Sequence, residues 1–149
     1  MNHANRVHLA AKSNNPVNGN QNICALAVAR RLKVDHTVRY LHVIGDLKRA
    51  ASKRFAIRSM VTTFKKASSR KSLSVSAIKK HAKAVTKENG RNVAYIVWVQ
   101  DHVLLIAGNG TVCVDTAPRK ADRRKVLGVW ACMYDPTKEQ FIADTHPNY

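Results

Sequence analysis

Cys24, His102 and Asp115 are the residues of this 149-residue chain whose types and placement can do covalent chemistry. Cys24 stands where the polar stretch Asn18-Gly19-Asn20-Gln21-Asn22 gives way to Ala25-Leu26-Ala27-Val28-Ala29-Arg30-Arg31-Leu32, a run without a helix breaker. A thiol at that junction faces unpaired backbone N–H groups and the positive end of a helix dipole, and both favour the thiolate. The same N–H groups can receive the oxyanion of an attacked carbonyl. The alternative is a small buried cysteine opening a core helix, because free cysteine is among the most buried residue types. A base elsewhere in the chain decides between the two.

His102 and Asp115 supply that base. Asn109-Gly110 lies between two runs rich in β-branched residues, which is a strong hairpin signal. A two-residue turn there sets Leu104 opposite Asp115. His102, two residues from Leu104, then points to the same sheet face. The imidazole and the carboxylate become diagonal neighbours, within hydrogen-bond reach. Taken alone, the pair has a purely structural alternative: tying two strands together, or an aspartate serving the turn at Thr116-Ala117-Pro118. Adding Cys24 moves the balance toward function.

The elements that must position these residues follow from periodicity and breakers. A helix is expected from Cys24 to about Leu32, a second over 38–44 capped by Thr37, and a third over 46–53 with Asp46 as N-cap. Residues 55–66 carry Phe55, Ile57, Met60, Val61 and Phe64, and 67–72 read as a basic, serine-rich exposed loop. A helix over 77–85 is capped by Ser74 or Ser76, faces Ile78, Ala82 and Val85 inward, and stops before Asn89-Gly90. From residue 92 to 106 the chain is almost unbroken Val, Ile, Leu, Trp and Tyr, interrupted at Gln100-Asp101-His102. Strands over 111–115 and 126–134 follow, the last ended by Asp135-Pro136. Helices first and an antiparallel sheet after them make an α+β domain. The expected organisation is an irregular arm over 1–17, one domain over 18–136 and a tail over 137–149. Within the domain a helical lobe (24–88) precedes a sheet lobe (92–134).

Charge narrows the partners. Lys and Arg number 26 against 9 Asp and Glu, a net charge of +17. That excess favours a polyanion: nucleic acid, an anionic membrane or an acidic protein. Candidate contacts are Lys65, Lys66, Arg70, Lys71, Lys79, Lys80 and Lys83, with a second cluster at Arg119, Lys120, Arg123, Arg124 and Lys125. No aromatic interleaving or helix-turn-helix text supports base readout. The basic helices also lack the Trp or Phe that would dip into a membrane surface. No apolar run is long enough to cross a bilayer and no signal-peptide core is present, so a cytoplasmic or virion-associated protein is expected. The 3 cysteines are scattered and read as reduced thiols. Neither they nor the other histidines have metal-ligand spacing, and no cofactor is expected.

The order of these features resembles the papain-like cysteine peptidases: Cys at the start of the first core helix, further helices, then a sheet carrying His and an acid on neighbouring strands. Asn18-Gly19 is similar to the Gln-Gly that precedes the nucleophile in the papain group. Cys24-Ala25-Leu26-Ala27 is similar to the helix opening of bacteriocin-processing peptidases. The stretch from His102-Val103-Leu104-Leu105-Ile106 through Gly110 to Val114-Asp115 resembles their His-strand-turn-strand-Asp segment. The resemblance implies that Cys24 is the nucleophile, His102 the general base and acid, and Asp115 the residue that orients the imidazole. It also implies an oxyanion hole made by the Cys24 N–H and a side-chain amide, from Asn18 or Gln21. The expected activity is hydrolysis of a peptide or isopeptide bond, with the basic surface recruiting an acidic protein substrate. The competing expectation is a nucleic-acid-binding or virion-associated viral accessory protein that keeps the fold without catalysis.

Overall fold

The computed structural model describes residues 23–34, 44–86 and 93–133. The elements in chain order are α1 (Ile23–Arg31), α2 (Ile44–Ser52), β1 (Ala56–Ser59), α3 (Val61–Ser68), α4 (Val75–Val85), β2 (Val93–Val99), β3 (His102–Ala107), β4 (Val112–Val114) and β5 (Val126–Met133). The arm over 1–17, nearly all of the helix expected over 38–44, the Asn89-Gly90 stop and the tail over 137–149 lie outside the described residues. Among the described residues no helix is long and apolar enough to cross a membrane.

The strands form one antiparallel sheet in the order β1-β5-β2-β3-β4. This agrees with an α+β class. The polar interruption at 100–102 is a two-residue turn: Val99 pairs with His102, and Asp101 takes the left-handed φ of 55° that aspartate tolerates. Every residue of β3 is buried, and so is all of β2 except Trp98, which is half-buried. A sheet covered on both faces needs such unbroken apolar strands, whereas a half-exposed sheet would alternate.

Two separate cores account for that cover. On one face Val28, Leu32, Leu47 and Phe55 pack with Ile96, Val103 and Leu105, so α1 and α2 lie there. On the other, Phe64 of α3 and Ile78 and Ala82 of α4 pack with Tyr95, Val97, Leu104 and Ile106. The Phe64 and Tyr95 rings meet edge to face at 5.1 Å. The stretch expected as a helical lobe is therefore divided between the two faces of the sheet. It also contributes the edge strand β1, which pairs with β5.

Helix starts follow local chemistry. α2 begins two residues earlier than expected, which puts position 46 in its first turn instead of before it. Ser74 is the N-cap of α4, its hydroxyl accepting from the Ala77 N–H at 3.2 Å. Ser76 is used differently. Its N–H and hydroxyl both donate to the Asp122 carbonyl, at 2.9 and 2.7 Å. With Val75 N–H donating to Arg124 O and Val126 N–H to Leu73 O, the start of α4 clasps residues 122–126.

Candidate active site

The beginning of β3 and the end of β4 meet at one end of the sheet, because the two strands are antiparallel. His102 opens β3, and Asp115 and Thr116 follow β4 directly. α1 packs across β3 and β4, so its first turn arrives at the same place. The local fold thus brings Cys24, His102 and Asp115 together from three elements.

The register that does this differs in detail from a simple two-residue hairpin. The turn holds three residues, 108–110, with Ala107 N–H donating to Thr111 O and Gly110 N–H to Ala107 O. Gly110 has a φ of 90°, a backbone angle that favours glycine. One residue further along, β4 is irregular: Ile106 pairs with Val112, but Leu105 pairs with Val114, leaving Cys113 as an extra residue. The longer turn and the bulge offset each other, so past the bulge β4 has the register expected for Asp115.

The side chains form a continuous hydrogen-bonded line. Cys24 Sγ is 2.9 Å from His102 Nδ1, and His102 Nε2 is 2.7 Å from Asp115 Oδ1. An ionised carboxylate only accepts, so Nε2 carries a proton and Nδ1 is the nitrogen that exchanges one with sulfur. The Thr116 hydroxyl lies 3.1 Å from Sγ. Asp115 Oδ1 also accepts from the Ala117 N–H at 2.9 Å, and Oδ2 accepts from Arg124 Nη2 at 2.8 Å. Arg124 in turn bonds both oxygens of Asp122, which has no exposed surface, through Nε and Nη2. The line runs from thiol to imidazole, carboxylate, guanidinium and a second carboxylate, and it ends on the clasp at the start of α4.

Protonation follows from these contacts. Burial pushes the Cys24 thiol up, but the hydrogen bond and charge of His102, the Thr116 hydroxyl and the Val103 N–H together hold it below the ordinary thiol range. Burial pushes His102 down, and Asp115 and Cys24 more than reverse this, raising it to about 8. Burial raises Asp115, but His102, the Ala117 N–H and Arg124 bring it to about 2. All three shifts favour a thiolate–imidazolium pair held by an ionised carboxylate. The other described thiols go the opposite way: burial raises Cys113 to about 11 and pushes Cys132 far up. Of the three thiols, Cys24 is the one whose surroundings favour the thiolate.

The remaining candidate residues are dispersed. Asn18 and Gln21, the two amides considered for the oxyanion, lie outside the described residues. Lys65, Lys66, Arg70, Lys71, Lys80 and Lys83 are exposed on α3, α4 and the link between them, and Lys79 is half-buried. Arg119, Lys120, Arg123 and Lys125 are exposed between β4 and β5, whereas Arg124 turns inward to the two aspartates. Thr116 and the Asp122–Arg124 pair are parts of the site that sequence reasoning missed. A threonine next to an aspartate carries no signal of its own, and in so basic a chain one more arginine reads as surplus surface charge. No protein-family model, curated protein or solved structure matches this chain.

Proposed function

We propose that the protein is a papain-like thiol hydrolase that cleaves a peptide or isopeptide bond through Cys24, His102 and Asp115. The observation that carries this reading is the Cys24 Sγ–His102 Nδ1–Nε2–Asp115 Oδ1 line, with contacts of 2.9 and 2.7 Å, at the first turn of α1. The thiolate attacks the carbonyl carbon and the oxyanion forms beside the N–H groups at the start of α1. The imidazolium then gives its Nδ1 proton to the departing nitrogen, leaving a thioester. Water attacks the thioester, passes a proton to Nδ1, and the thiolate leaves as the acid product departs. Asp115 keeps the imidazole in the one tautomer and orientation that this exchange needs.

The test is the pH dependence of Cys24 alkylation by iodoacetamide, in the wild type and in His102→Ala. The expected wild-type thiolate titrates below the free-thiol value of about 8.5, and the His102→Ala thiol returns toward it. Hydrolysis of a peptide substrate should fall on the alkaline side as His102 loses its proton near pH 8, whereas alkylation should show no alkaline fall. An ordinary thiol titration in both proteins would overturn the reading. The exposed cations of α3 and α4 favour a second reading, nucleic-acid binding on an inactive fold. Its mark would be affinity for an oligonucleotide that drops steeply with salt beside an ordinary Cys24.

A further inference from the structure

Next to the triad lies a cleft of about 370 Å³ that is lined by His102 but not by Cys24. Its walls include Asp101 from the β2–β3 turn, Arg119, Arg124 and Lys125 from the segment before β5, and Leu127 from β5 itself. These cations are not equivalent. Arg124 is occupied by Asp115 and Asp122. Arg119 and Lys125 are exposed, and among the described residues neither has an ion-pair partner. Asp101 offsets one of the two, so the cleft keeps a positive surplus. Leu127, 45% exposed, adds an apolar wall and is the exposed large hydrophobic side chain among the described residues.

Chemistry gives the cleft a direction. When a thiolate acylates, the C–S bond forms, the C–N bond breaks, and the acyl half of the substrate stays on sulfur. The proton from His102 Nδ1 goes to the departing nitrogen, so the departing chain begins at His102. A cleft bordered by His102 and not by Cys24 lies on the imidazole side of the site, the side to which the departing chain would be handed. Two solvent-facing cations beside an aliphatic wall fit a carboxylate side chain in an extended peptide.

We propose that this cleft is the leaving-group subsite and that it selects substrates with Asp or Glu in the first two residues on the leaving-group side of the scissile bond. The inference rests on the thiol-hydrolase reading above. It assigns to Arg119 and Lys125 a local task in substrate choice, distinct from a general attraction between a basic protein and a polyanion.

The experiment is cleavage of a mixed peptide library by the full chain, with products sequenced by mass spectrometry, for the wild type and for R119Q/K125Q. Iodoacetamide alkylation of Cys24 is followed in parallel as the measure of the thiolate. The expected wild-type result is an enrichment of Asp and Glu of about fivefold at those positions, the scale of two solvent-exposed ion pairs. It should weaken with added salt and fall to near parity in R119Q/K125Q. Cleavage without acidic enrichment, or enrichment that survives in R119Q/K125Q, would overturn the subsite and leave the hydrolase reading intact. No cleavage together with an ordinary thiol titration would overturn the hydrolase reading and the subsite with it.

Discussion

Among only 9 acidic residues in the chain, two share one arginine: Arg124 bonds Asp115 and Asp122 within the same site. The side chains of Asp115 and Asp122 have almost no exposed surface, so removing the guanidinium would leave two buried carboxylates uncompensated. Arg124→Met should lower stability by about 3–5 kcal/mol in urea unfolding, the usual result of breaking a buried ion pair from one side. Arg124→Lys keeps a positive charge but not the planar fork. It should fold and shift the Cys24 alkylation profile toward higher pH, because Asp115 then holds His102 less firmly. Stability and thiol profile both unchanged in the two variants would reduce Arg124 to a surface cation. At this scale the legible residues were those with a local signal: a cysteine at a helix start, and a histidine and an aspartate related by a hairpin. Thr116 and Arg124 gain their roles only from partners that are 92 and 9 positions away, and no local pattern announces such contacts.

The β3–β4 hairpin shows what an element adds. Its turn presses on α4: a Cβ at Gly110 would stand 2.4 Å from the Lys79 carbonyl oxygen, and the glycine already has a φ of 90°. Gly110→Ala must therefore strain the turn or push the hairpin from the helix, and either costs about 1–3 kcal/mol. The expected outcome is a lower urea midpoint, and an unchanged midpoint would mean that the turn can move freely. The hairpin was legible from Asn109-Gly110, yet its turn length was not. Two-residue and three-residue turns use the same residue types, and the bulge at Cys113 has no glycine to mark it. Strand β1 was illegible for another reason: Ala56–Ser59 is four residues of an edge strand, too short for an alternating pattern.

On the scale of the whole molecule, helix-before-strand order predicts the α+β class but not the cover of the sheet on both faces. Which face a helix takes depends on long-range packing, and the unbroken apolar text of β2 and β3 was the one local sign that both faces would be covered. The site also ties global stability to pH. Asp115 is held at about 2 against a normal 3.8, so the folded state binds its proton less readily than the unfolded chain does. Its contribution, about 2 kcal/mol, is complete above the unfolded value and is lost as pH falls through the folded one. Between pH 4 and 2 the wild type should therefore lose this stability, whereas Asp115→Asn should lose correspondingly less. Parallel acid curves for the two proteins would contradict the assignment.

The distances along the chain give the Cys24 site a history. His102 and Asp115 are 13 positions apart and belong to one hairpin, whereas Cys24 is 78 positions from His102. Closing the short loop loses less entropy, so the imidazole and its carboxylate can meet early, and the sulfur joins them only with long-range closure. Until then Cys24 is an ordinary thiol with no base beside it. The stabilised thiolate is thereby a property of the finished fold, withheld from the nascent chain and surrendered at once when the fold opens.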